Sequence, residues 1–197
     1  MKNTVLGLIV LAGILSAAAP SKGQGAPNAE LSVAAQGRMM KITRGDLSAA
    51  TNEVERFYAL NRASKKALKA GKIEEARGFA NELARLAPAY TNDWNYGNAI
   101  QDANQVLGRI ALAEGNVAEA KKRLLDSADS KGSPQMNSFG PNMQLAKELL
   151  AKGESQVVLE YFNRCQRFWK MGADRLSAWG QAVNMGETPN FGPNLDY

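Results

Sequence analysis

Three stretches of this chain repeat one local plan. Leu68-Lys-Ala-Gly71, Leu112-Ala-Glu-Gly115 and Leu150-Ala-Lys-Gly153 each place Leu three residues before a Gly, and Ala76, Ala120 and Val158 follow five residues after those glycines. Helix-period sequence flanks each stretch. Gly just past a helical run is a stop signal, because the left-handed conformation that turns the chain back costs Gly little. A helix that stops at Gly and restarts at once is a helical hairpin. Hairpins recurring along one chain predict an all-α fold in which each pair buries its apolar stripe against the next.

The pattern spans residues 46–186. Asp46 or Asn52 is placed to cap a first helix in which Val54, Phe57, Tyr58, Ala63 and Ala67 recur at helical spacing. Its return helix carries Ile73, Ala76, Phe79, Ala80, Leu83 and Leu86 and stops at Pro88. The second hairpin opens with Asn92 or Asp93 as cap, runs through Ile100, Val106 and Ile110, returns with Val117, Ala120 and Leu124, and frays over 130–134. Pro141 suits the first turn of the third hairpin. That hairpin returns through Val157, Val158, Tyr161, Phe162 and Cys165 to Phe168 and Trp169. A last helix near 174–185, with Leu176, Trp179 and Val183, is expected to cover the end of the stack. Residues 20–45 read as a flexible leader with a short extended piece, and 187–197 as an irregular tail.

Lys2 precedes an apolar run over 5–19, broken only by Gly and Ser, and Ser16-Ala17-Ala18 supplies small residues for cleavage. This is the layout of a secretory signal peptide over 1–19. The run is short for a membrane span, which takes ~20 apolar residues. The alternative is an uncleaved anchor. The expectation is therefore an exported protein, periplasmic or secreted, with no stable membrane insertion after cleavage. Cys165 is the single cysteine, so no disulfide framework forms, and its helical spacing puts it on an apolar face as filler. Twenty-four Lys and Arg against 19 Asp and Glu give a net charge of +5. That is too mild a bias for a nucleic-acid partner.

The second hairpin resembles the tetratricopeptide repeat: Leu107-Gly108 midway along its first helix, Gly115 at the turn, Ala120 early in the second helix, then Leu124. The first hairpin shares Gly71, Ala76 and Pro88 but has Ala63-Ser64 at the Leu-Gly position; the third shares Gly153, with Leu145-Ala146 and Val158. Leu60, Asn104 and Asn142 stand where that family has a large aromatic. The turn glycines lie 44 and 38 residues apart, against ~34 in a standard repeat, so these repeats carry extra residues. The likeness covers about 55–170. It implies a short α-solenoid with a C-terminal capping helix, acting as a non-enzymatic scaffold or adaptor.

Lys65, Arg109 and Lys147 each stand six residues before a turn glycine. In the resembled family that position lines the concave groove. The resemblance thus implies three aligned cations, with Tyr58, Asn61, Asp102, Gln105 and Met143 beside them, facing a protein or acidic peptide. A second candidate is a recurring tetrapeptide, Phe139-Gly-Pro-Asn142 and Phe191-Gly-Pro-Asn194. If both loops meet at one end of the stack, they frame a pocket with Asn95, Asn98, Asn137 and Asn142 for a sugar or peptide amide. That alternative is a small-ligand or glycan-binding, or hydrolytic, envelope protein. Self-association through Trp169 and Trp179 is a third expectation.

The chain contains no His. This removes the commonest general base and metal ligand and every Ser-His or Cys-His dyad. Neither a phosphate-cradling Gly loop nor an acidic calcium loop is present. Glu74-Glu75 and Asp126/Asp129 read as solvated helix faces rather than catalytic pairs. No enzyme activity, metal or cofactor is expected.

Overall fold

The computed structural model describes residues 33–195, and every regular element among them is helical. In chain order these are α1 (Val33–Thr43), α2 (Glu53–Lys69), α3 (Ile73–Leu86), α4 (Tyr96–Ala113), α5 (Val117–Asp126), α6 (Pro134–Phe139), α7 (Gln144–Leu150), α8 (Ser155–Cys165) and α9 (Ala173–Asn184). Short 3-10 turns cover Leu47–Ala49, Ala87–Tyr90, Lys170–Gly172 and Gly192–Leu195. The expected signal peptide and the start of the leader lie outside the described residues.

The three predicted bends are turns of one kind. After α2 the Gly71 N–H donates to the Leu68 carbonyl (3.0 Å) and the Lys72 N–H to Ala67 (2.9 Å). The same two bonds recur around Gly115 and Gly153. This is the Schellman arrangement, in which a left-handed residue lets two orphan carbonyls of the last helical turn find donors. Gly45 and Gly186 close α1 and α9 with identical bonds, and all five glycines have φ between +73° and +82°. An apolar residue stands three positions before each: Ile42, Leu68, Leu112, Leu150 and Val183. Once the chain has turned, Ala76, Ala120 and Val158 become fully buried. Small or branched side chains there let the return helix lie close on its partner.

α2 packs on α3, α4 on α5 and α7 on α8; α3 also packs on α4, and α5 on α8. The apolar core follows this succession. Phe57, Leu60, Leu83 and Leu86 meet Ala99 and Ala103 across the first two pairs. Leu124, Leu145, Leu149, Val158, Tyr161 and Phe162 continue it through the last pair to Trp179 on α9.

Several local expectations are corrected. Residues 33–43, placed in a flexible leader, form α1. Met39 and Ile42 are buried there against Tyr58 and Ala59, and Arg38 pairs with Glu55 at 2.6 Å. Burial alone raises the Glu55 pKa, but the Thr51 N–H and hydroxyl together with Arg38 outweigh it, so its carboxyl sits below the ordinary value. Asn52 caps α2 as expected, its Oδ1 accepting from the Glu55 N–H at 2.9 Å. Neither Asn92 nor Asp93 caps α4. The helix starts at Tyr96, because Asp93 Oδ1 instead accepts from the Asn95 N–H at 2.7 Å and fixes the loop. Pro141 does not open the third hairpin. Pro134 opens α6, behind a Ser133 hydroxyl that accepts from the Met136 N–H, and α7 begins only at Gln144. α8 stops at Cys165, so Phe168 and Trp169 lie on the following turn. Finally, the tail is anchored: Phe191 is buried and meets Trp179 edge-on at 5.0 Å.

Candidate functional site

The expected column of free cations is two-thirds spent inside the fold. Lys65 on α2 donates from Nζ to Asp102 Oδ1 on α4 at 2.9 Å. Arg109 on α4 grips Glu148 on α7 through Nε at 2.9 and 3.1 Å. Each pair stitches the first helix of one hairpin to that of the next. Lys147 is exposed and forms no ion pair among the described residues. The five groove neighbours are all buried. Tyr58 donates to Asp93 Oδ2 (2.7 Å) and stacks on Trp94. Burial first, and that bond second, push its phenol well above the ordinary range. Asn61 donates to Asp102 Oδ2 (3.1 Å) and accepts from Asn95 (2.8 Å). Gln105 donates to Ser127 and to the Asn142 carbonyl, and accepts from the Leu145 N–H.

These bonds belong to a longer polar row that the sequence reading missed. Asn95, Asn98, Gln101 and Asp102, then Gln105 and Arg109, recur at three- and four-residue steps, one face of α4 and its N-terminal edge. Asn98 accepts from the Ser133 hydroxyl and donates to Asn95 Oδ1 and Gln135 Oε1. Gln101 Oε1 accepts from the Asn142 N–H. The signal was visible as a polar stripe on a helix that is apolar elsewhere, but its burial follows from α2, α6 and α7 closing over it.

The proposed asparagine pocket is consequently filled with its own bonds. Asn95, Asn98 and Asn142 are engaged as above, while Asn137 lies exposed on α6. The Phe-Gly-Pro-Asn loops do meet, yet as a clasp. Asn194 Nδ2 donates to the carbonyls of Phe139 (3.1 Å) and Pro141 (2.9 Å), and its own carbonyl accepts from the Met143 N–H (2.8 Å). Phe191 is buried and Phe139 exposed, so the two copies play different parts. Trp169 lies against Gly140 and Gly172, with the Arg175 guanidinium 5.4 Å from its ring centre. Trp169 and Trp179 are both buried, which removes them as surfaces for self-association.

An open site lies elsewhere. Between α8 and α9 lies an open hollow of about 400 Å³ lined by Leu159, Phe162, Asn163, Gln166, Leu176, Ser177, Gly180, Gln181 and Asn184. Its floor is apolar. Its rim carries four carboxamides and a hydroxyl, and none of these five side chains finds a hydrogen-bond partner among the described residues. No charged side chain lines it. Beyond Asn163 a second hollow is charged but balanced, with Arg164 on Glu160 (3.0 Å) and Arg167 near Asp129 (3.6 Å).

The remaining reactive groups have structural settings. Burial pushes the Cys165 thiol far above its ordinary value, so it stays protonated, as filler should. Glu74, Glu75 and Asp126 each pair with a nearby cation, Arg77, Lys72 and Lys122. Among the described residues no three His, Cys, Asp or Glu gather as metal ligands, and no helix is long and apolar enough to cross a membrane. Comparison with protein-family models, with curated proteins and with solved structures returns no match.

Proposed function

We propose that this chain is a non-enzymatic binding module, an exported scaffold that holds a protein partner on a short stack of helical hairpins. In plan it is a degenerate tetratricopeptide-like array with α9 covering its end. The observation that carries the binding reading is the α8–α9 cleft, whose five neutral polar side chains are unspent. All five are exposed to solvent, so a partner reaching them displaces only water. Here they are gathered over an apolar floor on two rigid helices, so a partner loses little entropy in finding them. The absence of His from the sequence supports a non-catalytic role. Lys2, the apolar run over 5–19 and the single Cys support export.

The contact face moves from where the sequence reading put it. Lys65 and Arg109 are committed to Asp102 and Glu148, so an acidic peptide would have to displace bonds that join the hairpins. Lys147 alone of the three remains open. Affinity capture with the purified chain separates the two faces. Asn163→Asp combined with Gln181→Glu puts charge in the cleft, while Lys147→Glu reverses the groove. The cleft variant should lose the retained protein and the Lys147 variant keep it. Unchanged retention by the cleft variant would refute this face.

A further inference from the structure

We infer that the outer face of α1 and α2, at the N-terminal end of the stack, rests on an anionic lipid surface through Lys41, Arg44, Arg62, Lys66 and Lys69. This face is separate from the α8–α9 hollow and goes beyond the protein-binding reading.

Arg62, Lys66 and Lys69 stand at four- and three-residue steps, one face of α2 over about 10 Å. Glu55 and Ala59 begin the same face. There α1 lies over it, with Met39 and Ile42 buried and Arg38 on Glu55. α1 closes at Gly45, where a Cβ would come within 2.9 Å of Arg62 Cβ. The turn thus sets Lys41 and Arg44 beside the uncovered half of the α2 face. All five side chains are exposed, and none pairs with a carboxylate among the described residues. The other cations of the region are spent, Arg38 on Glu55, Arg56 on Glu82 and Lys65 on Asp102. Asp46, the carboxylate beside Lys41, is itself bound by Ser48. Five cations against one carboxylate hold most of the chain's net charge of +5. The helix dipole favours Lys66 and Lys69 near the end of α2, but not Arg62 midway along it.

Charge of one sign makes the partner anionic. Three observations favour a lipid surface over an acidic polypeptide. The cations spread over two helices, so a peptide would have to be ordered along them, whereas headgroups are many and mobile and need no register. Val33 (85% exposed) and Met40 (46% exposed) lie seven residues apart on α1, on the side away from Met39 and Ile42, and add apolar contacts among the cations. The apolar run over 5–19 enters the stack at this end, separated from Val33 by 13 residues. Cleaved or retained, such a run brings that end of the chain to a bilayer.

The test is flotation of the full chain with phosphatidylglycerol or phosphatidylcholine vesicles. The apolar run is common to every variant, so differences between variants read the face alone. Each cation near an anionic surface is worth about fivefold in partitioning. Arg62→Gln/Lys66→Gln/Lys69→Gln should therefore bind phosphatidylglycerol about a hundredfold more weakly. Lys41→Gln/Arg44→Gln, which spares α2 should the triple variant unfold, should lose about twentyfold. Lys131→Gln/Lys152→Gln/Lys170→Gln removes as much charge from other faces and should lose under about threefold. Added salt should shrink these differences, and phosphatidylcholine should not distinguish the variants. Equal losses for the face and the scattered set would reduce the effect to net charge and overturn the inference, as would equal binding of the wild-type chain to both lipids. Capture of a blocked Glu hexapeptide that is lost in the Arg62/Lys66/Lys69 variant, with vesicle binding unchanged, would assign the face to an acidic polypeptide instead.

Discussion

Two groups of carboxamides in this molecule have the same chemistry and opposite fates. Asn95, Asn98, Gln101 and Gln105 lie along α4 at helical spacing, and so do Gln181 and Asn184 on α9, faced by Asn163 and Gln166 on α8. The α4 row is roofed by α2, α6 and α7, and its members bond to Asn61, Ser133, Asn142, Ser127 and the Leu145 backbone. The α8–α9 rows have nothing over them but solvent. Neither residue type nor periodicity distinguishes the two. What distinguishes them is whether other helices close over the polar face, because such packing converts it into an internal seam. The last pair has only α9 and the tail beyond it, so its amides stay available.

The largest expected effect tests this contrast directly. Gln105→Met keeps the volume but strands the Leu145 N–H and removes a donor from Ser127 and the Asn142 carbonyl. Each buried polar group left unpaired costs ~1–3 kcal/mol, so a loss of about 2–4 kcal/mol is expected in urea denaturation. Gln181→Met, the same change on the open row, should stay within about 0.5 kcal/mol. Similar losses for the two would break the comparison.

Next in size is Gly108→Ala on α4. A Cβ there would collide with Leu145 Cδ2 and come within 2.9 Å of Arg123 Cβ. α5 and α7 must back away, loosening the seam, at about 1–3 kcal/mol. Thermal unfolding of the variant measures it.

What the sequence disclosed follows from the range of each interaction. The Schellman bonds close within six residues, so Gly71, Gly115 and Gly153 were readable as bends. Gly45 and Gly186 obey the same rule, with Ile42 and Val183 in place of Leu, although no helical hairpin restarts directly after them. The Asn52 cap is equally local. α1 was not readable, since its pattern offers little beyond Met39 and Ile42, and its order depends on Tyr58, Ala59 and Glu55. The cations at 65, 109 and 147 were visible as a column, but their neutralisers Asp102 and Glu148 stand 37 and 39 residues away. The cleft was invisible for the same reason: it exists only because α9 lies on α8.

Acidification separates the amide-held parts from a carboxylate-held one, because carboxamides do not titrate. The fold holds the Glu55 carboxyl below its ordinary value of 4.5. A depressed carboxylate contributes stability that is complete above the unfolded pKa and lost as pH falls through the folded one. The α1 docking held by Arg38, Thr51 and Glu55 should therefore loosen below pH 4.5. Hydrogen exchange across pH 3–6 should show 33–43 losing protection while the Asn142 and Leu145 N–H groups, held by Gln101 and Gln105, keep it; Glu55→Gln should remove the pH dependence of α1. Equal acid sensitivity in both regions would contradict the distinction.

The smallest effect is also the sharpest, because it reverses sign. Gly180 is a mid-helix glycine like Gly108, but its missing Cβ points at open space and would make only an ordinary contact with Leu159 at 3.8 Å. Replacing a helical Gly by Ala is then governed by backbone entropy, worth about 0.8–1 kcal/mol in favour of Ala. Gly180→Ala should thus raise the unfolding midpoint slightly, while Gly108→Ala lowers it. The same added methyl stabilises where the helix face is open and destabilises where another hairpin has closed over it. If both substitutions shifted stability in the same direction, the α8–α9 face would have to be as tightly covered as α4, and its amides would not be free to bind anything.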